Sequence, residues 1–137
     1  MNAEPALEFD RIRDQVGELC RSGRGAALVA EAPILHDESQ LAGLLDLVEA
    51  MFRLIDSGVS APSFDVADLE PVWSRLTVEG ARLDLDELGE VRRLLDAAGA
   101  LHAWCKHDQG AEIVQNQAGR LLVPSELVTQ LRTYLLP

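Results

Sequence analysis

Aromatic residues and cysteines are scarce in this sequence. Aromatic residues make up 4% of 137 residues, so the core has to be built from Leu, Val, Ile and Ala, a composition that favours helices packed on helices. The two cysteines, Cys20 and Cys105, exclude a disulfide framework and indicate free, buried thiols. The sequence shows no basic leader and no apolar run of membrane-spanning length, so we expect a cytoplasmic protein without a membrane partner.

Positive charge is also scarce. Twelve Lys and Arg stand against 23 Asp and Glu, a net charge of -11, which repels phosphate at long range and makes the chain a poor stand-alone nucleic-acid binder. The segment from Asp37 to Asp96 holds fourteen acids and five bases, so we expect any anion-binding surface near the two ends. The single lysine, Lys106, lies inside a predicted helix, which excludes a phosphate loop.

Hydrophobic periodicity predicts a long amphipathic helix from Leu83 to His107. Asp84 is the expected N-cap, and Glu87 completes a capping box. Apolar residues recur at helical spacing along it and form one stripe, which comprises Leu88, Val91, Leu94, Leu95, Ala98, Leu101 and Cys105. This stripe needs other helices to cover it.

A second long helix is predicted from Glu38 to Ser57, about 30 Å in length. Asp37 and Gln40 form a second expected capping box, and Gly58 ends the helix. Leu47 and Leu54 widen its apolar surface, so we expect contact with two neighbours. The predicted inward face comprises Leu41, Leu44, Leu45, Val48, Met51, Phe52 and Ile55.

Shorter helices complete the predicted fold, an all-α irregular helical bundle in one domain over residues 1–137, with two long antiparallel helices. Gly23 is a candidate left-handed cap. After His107 the chain either breaks at Gly110 or continues as helix to Gln117. The shorter helices are predicted over Leu7 to Arg21, Ala26 to Ala32, Ala67 to Leu76 and Glu126 to Leu135.

Few residues suggest chemistry. His102 and Cys105 would share a helix face, which suits zinc, but a full ligand set would need His107, Cys20 or His36 from other directions. A buried Cys with flanking surface histidines is the simpler interpretation, and we expect no metal, cofactor or catalytic residue. The paired carboxylates lie at predicted caps and solvent faces, where no pocket would raise a carboxyl pKa.

Four arginines near the start, Arg11, Arg13, Arg21 and Arg24, are the candidates for contacts with nucleic-acid phosphates. Each also has a structural interpretation. The first two lie among acids and suit surface ion pairs, and the last two flank a helix end and suit its dipole. Trp73 and Trp104 are expected as core anchors.

A succession of short segments resembles a known family. The chain begins with Leu7-Glu8-Phe9-Asp10-Arg11-Ile12, followed by a break at Gly23 and a short helix ending at Pro33. A long helix from Asp37 to Gly58 comes next, then a short helix after Asp68-Leu69. The segment Leu83-Asp84-Leu85-Asp86-Glu87-Leu88 then opens another long helix. The order and spacing are similar, over Leu7 to about His107, to the start of the bacterial MutS-like ATPases that form the second MutS subfamily.

The resemblance implies a part of a larger machine. Family members lack the mismatch-reading domain, and a Phe-x-Glu wedge is absent here too. Their N-terminal helices form a core and lever that link a dimeric ATPase to a nucleic-acid clamp acting in DNA repair, recombination control or ribosome rescue. This chain would then be a non-catalytic segment. Its partners would be the remaining domains of the parent ATPase and, through the parent, branched DNA, and ATP and Mg would bind elsewhere in the parent.

Two other functions compete with that expectation. The long helix Glu38 to Ser57, apolar on two sides, suits an autonomous acidic helical module that binds a partner helix or forms a homodimer. An enzyme with a carboxylate site is the third alternative, and it would require a deep acidic pocket.

Overall fold

A computed structural model describes residues 8–63, 66 and 68–135. These residues confirm the all-α class, because their regular elements are helices that form an irregular bundle. The helices in chain order are α1 (Phe9–Glu18), α2 (Gly23–Ala30), α3 (Glu38–Asp56), α4 (Glu70–Leu76), α5 (Leu85–Cys105), α6 (Glu112–Ala118) and α7 (Ser125–Tyr134).

The longest helix, α5, begins as predicted. The Asp84 side chain accepts a hydrogen bond from the Glu87 backbone N–H at 2.9 Å. Glu87 Oε2 in turn accepts one from the Asp84 N–H at 2.9 Å. This reciprocal pair is the predicted capping box and satisfies two backbone donors that the helix start leaves unpaired.

Helix α3 has half of its predicted capping box. Asp37 accepts hydrogen bonds from Ser39 Oγ at 2.6 Å and from the Gln40 N–H at 2.9 Å. These bonds, the Ser39 hydroxyl first, hold the pKa of Asp37 below its ordinary value. Among the described residues the Gln40 side chain makes no hydrogen bond back to the Asp37 backbone N–H. The prediction of a complete second capping box was therefore wrong. Gly58, at φ 93°, ends the helix region as predicted.

The predicted left-handed cap at Gly23 was wrong. Ser22 Oγ accepts a hydrogen bond from the Gly25 N–H at 3.1 Å, so Ser22 is an N-cap and Gly23 is the first residue of α2. Helix α2 therefore begins three residues before the predicted start at Ala26. Helix α1 ends at Glu18 rather than Arg21, and the predicted start at Leu7 lies outside the described residues.

Glycine also decides the segment after α5. The Gly110 N–H donates to the His107 carbonyl oxygen at 2.8 Å. A Cβ at this position would lie 3.0 Å from the same oxygen, which is closer than side chains normally pack. This tight turn lies between the end of α5 at Cys105 and the start of α6 at Glu112, so α6 is a separate helix.

The first hydrophobic cluster joins α3, α5 and α6. Its members are buried, with Val114 of α6 at 0% exposure and Leu54 of α3 at 2%. Helix α6 packs against both long helices. The long helices themselves contribute Leu54 from α3 and Trp104 and Cys105 from the C-terminal end of α5 to this cluster. The full cluster is Leu54, Trp104, Cys105, Val114 and Ala118.

The second cluster lies along the first half of α5, where α4 and α7 cover it. Its buried members are Leu69, Val72, Val91 and Leu131. Two polar contacts reinforce the α5–α7 pairing: Arg92 donates to the Leu135 carbonyl at 3.3 Å, and Arg132 pairs with Asp96 at 2.5 Å. Different helices thus cover the predicted apolar stripe of α5 at its two ends.

Two leucines of α3 test this assignment of the core. We expect Leu54→Ala to lower the free energy of unfolding by about 2–4 kcal/mol, because it opens a cavity in a buried cluster. Leu44→Ala should cost less than about 1 kcal/mol, because that side chain is 50% exposed. Urea unfolding followed by circular dichroism measures both, and equal losses would contradict the burial described here.

Candidate interaction surface

Helix α3 turns an apolar face to solvent. We call this surface the α3 face, and its side chains, 44% to 70% exposed, are Leu41, Leu44, Leu45, Val48, Phe52 and Ile55. Val48 at its centre is 63% exposed and Phe52 is 70% exposed. Single exposed apolar residues are ordinary, whereas a contiguous set of this kind marks an interaction surface.

The prediction that these residues face the core was wrong. Their spacing of three and four residues does place them on one side of the helix. The side that packs is the neighbouring one, where Leu54 is buried and Leu47, Ala50 and Met51 are partly buried against the first cluster. Of the predicted face, Met51 alone belongs to that packing, because it lies between the two sides.

An acidic edge borders the α3 face. At 100° per residue, Glu38, Glu49 and Asp56 lie about 80–100° from Val48 around the helix, all on the same side. All three are exposed. The one cation of the helix, Arg53, already pairs with Glu49 at 2.5 Å. The edge therefore stays negative overall.

The total surface agrees with an uncovered face. The chain's accessible surface is 10436 Å², whereas a compact monomer of its 15.0 kDa would expose about 7,000 Å². The excess exceeds what one side of a standard protein interface buries, about 800 Å². The chain thus exposes more surface than a compact monomer of the same mass.

A second apolar surface lies between α4, α5 and α7. This groove has a volume of about 500 Å³ and is lined almost entirely by apolar side chains. Trp73 is one of the residues that line it and is 42% exposed, so its predicted role as a core anchor was wrong. Trp104 is 9% exposed in the first cluster and donates from Nε1 to the Val59 carbonyl at 3.3 Å, which confirms the prediction for that residue.

Among the candidate arginines, Arg13 serves the fold. It pairs with Asp10 at 3.2 Å, donates to the Ala32 carbonyl at 2.5 Å and lies over the Phe9 ring at 4.3 Å. Its side chain is 19% exposed. These contacts hold α1 against the end of α2, which sequence spacing could not reveal because Ala32 is nineteen residues away.

The other three arginines differ in the contacts they make. Arg11 forms an exposed ion pair with Glu8 at 3.2 Å. The Arg21 carbonyl accepts from the Val66 N–H at 3.4 Å, and Arg24 lines a surface pocket that also contains acidic side chains, Asp68 and Glu70. Acids therefore accompany Arg11 and Arg24, which weakens both as phosphate contacts.

The suggested metal ligands are also dispersed. In the described ranges, no group of three His, Cys, Asp or Glu side chains is arranged to hold a metal ion. Cys105 is buried among apolar side chains of the first cluster. Cys20, between α1 and α2, is a second free thiol and is partly exposed. His107 accepts a hydrogen bond at Nδ1 from the Gln109 N–H at 3.2 Å and so belongs to the turn after α5.

Comparisons with known proteins add no assignment. No family model matches the chain, and searches of curated proteins and solved structures find no match. Within the described residues, no helix combines the length and apolar character needed to cross a bilayer.

The two thiols provide a test of the first cluster. Burial raises the pKa of the Cys105 thiol, so less of the reactive thiolate forms at a given pH. We expect iodoacetamide to label Cys20, which is partly exposed, well before Cys105 in the native chain, and to label both equally in denaturant. Mass spectrometry of the native and Cys20→Ser chains measures this, and fast native labelling of Cys105 would contradict its burial.

Proposed function

We propose that this chain is a helical protein-interaction module, and that the α3 face is its binding surface. The observation that carries the proposal is the set of six apolar side chains, each 44% to 70% exposed, on one face of a well-defined helix. Water-exposed apolar area of this kind gains free energy when another apolar surface covers it.

The geometry of the face suits another helix as the partner. Its side chains recur at three and four residues over four turns, from Leu41 to Ile55, and form a continuous ridge. A partner helix with the same spacing would place its own apolar side chains between these, as in helix-in-groove recognition. Each side chain so buried contributes on the order of 1 kcal/mol before the costs of association.

Phe52 offers a direct test of this proposal. A photo-crosslinking amino acid at position 52, in the most exposed part of the face, should yield a discrete adduct of higher mass in the source cells. The same probe at Leu85, an equally exposed leucine at the start of α5 (73%), should not yield that adduct. Gel shift followed by mass spectrometry identifies the product.

Val48→Asp supplies the control for specificity. A carboxylate at the centre of the face would be left without water on binding, so the adduct from position 52 should disappear while the fold remains. Circular dichroism verifies the fold. If positions 52 and 85 give the same adducts, or if Val48→Asp leaves the adduct unchanged, the α3 face is not a binding surface.

A second proposed function follows from the MutS-like resemblance. The chain would be the N-terminal helical segment of an ATPase in DNA repair or recombination, and would couple the ATPase to a nucleic-acid clamp as a rigid element of a two-state machine. What favours it is the surplus surface, 10436 Å² for this mass, since the other domains of a parent protein would cover such a surface. ATP and Mg would bind in those domains.

The native size of the product separates these two functions. If the chain belongs to such an ATPase, an antibody raised against it should detect a band several times larger than 15.0 kDa in the source cell. The pure chain should then show no ATP hydrolysis. A band at 15.0 kDa would contradict the ATPase proposal and leave the stand-alone module.

A further inference from the structure

We infer that the partner of the α3 face is an amphipathic helix whose flanks carry Lys and Arg. This inference rests on the proposed function and adds the chemistry of the partner. It is carried by two features that occur side by side on α3: the exposed apolar ridge centred on Val48 and the acidic edge next to it.

The charges of α3 are strongly one-sided. The helix and its cap hold five carboxylates against the single cation Arg53, and the acids are Asp37, Glu38, Asp46, Glu49 and Asp56. Asp37, Glu38 and the other acids are all exposed, and the Glu49 side chain keeps 61% of its area in water even beside Arg53. A helix that docks on the ridge must bring its own flank alongside this negative edge.

A second copy of the chain would cover the apolar side chains of the α3 face but would not neutralise the acidic edge. An antiparallel two-fold arrangement can place Val48 opposite Val48, Leu41 opposite Ile55 and Leu44 opposite Phe52, because these positions are symmetric about residue 48. The same symmetry brings the two acidic edges together, with the two Glu49 side chains as close neighbours. Like charges in that position, on chains of net charge -11 each, oppose association.

A cationic flank converts that repulsion into attraction. Lys or Arg side chains along a partner helix would lie beside Glu38, Glu49 and Asp56 while its leucines cover the ridge. Electrostatic complementarity of this kind chiefly sets which partner is accepted and how fast it binds, and the apolar contact supplies the affinity. The prediction is therefore about preference between otherwise identical partners.

Three synthetic peptides test this preference against the full chain. Two share one leucine stripe and matched helicity, one with Lys and Arg flanks and the other with Glu flanks. The third has the composition of the cationic peptide in scrambled order, without a stripe. Fluorescence anisotropy should show the cationic amphipathic peptide binding at least about tenfold more tightly than either of the others at low salt. The advantage over the Glu-flanked peptide should shrink when salt is raised to about 0.5 M.

Matched variants of the chain locate the binding. Val48→Asp should weaken the cationic amphipathic peptide by more than about tenfold, although it adds negative charge, because it breaks the ridge. The double variant Glu38→Gln, Asp56→Asn should weaken that peptide by about threefold or more and reduce its salt dependence. Leu85→Asp adds the same charge as Val48→Asp outside the face and should leave the affinity unchanged. Thermal melts confirm that each variant is folded.

The possible results separate the inference from the proposed function. Equal binding of the Lys-flanked and Glu-flanked peptides, both lost in Val48→Asp, would overturn the charge preference and keep the α3 face as a binding surface. A stable dimer in light scattering that Val48→Asp dissociates would overturn the inference in favour of a second copy. Equal binding of the scrambled peptide, unaffected by Val48→Asp, would overturn both.

Discussion

Helix α3 carries more apolar surface than the other described helices cover, and the arrangement of the chain follows from this imbalance. Its nineteen residues are apolar on two adjacent sides. Leu54 and its neighbours bury one side against α6 and the end of α5. The side centred on Val48 has no such neighbour among the described residues, so the helix is half a core element and half a surface element. The interaction proposed for this protein is a consequence of that division.

Local features of the fold were predictable because they depend on a few adjacent residues. The capping box of Asp84 and Glu87 requires two side chains three positions apart, and both are present in the sequence. The end of α3 near Gly58 depends on glycine's access to positive φ. The prediction for Gly23 was wrong because of the residue before it. The Ser22 hydroxyl caps the N-terminus of α2, so Gly23 is the first residue of that helix and not a left-handed cap at the end of α1.

Long-range features were less predictable. Periodicity identifies which residues share one side of α3, but not which side meets another helix, because that depends on where α6 lies. The position of α6 depends on the turn around Gly110, where a Cβ would lie 3.0 Å from the His107 carbonyl oxygen, closer than side chains normally pack. The role of Arg13 is similar: its contact with the Ala32 carbonyl exists only once α1 and α2 have packed together. Arg13 therefore belongs to the packing of α1 and α2, whereas Arg11 makes an exposed ion pair.

The two hydrophobic clusters have a further consequence for how the chain unfolds. Residues of α5 belong to both, with Val91 in one and Trp104 and Cys105 in the other, while the helices that complete each cluster are different. Such a structure can open in parts, with α3 and α6 detaching as one unit and α4 and α7 as another, each with its own free energy. Backbone amides in the two ends of α5 would then exchange with solvent at different rates, and a ligand on α3 would slow exchange mainly at the end near Trp104.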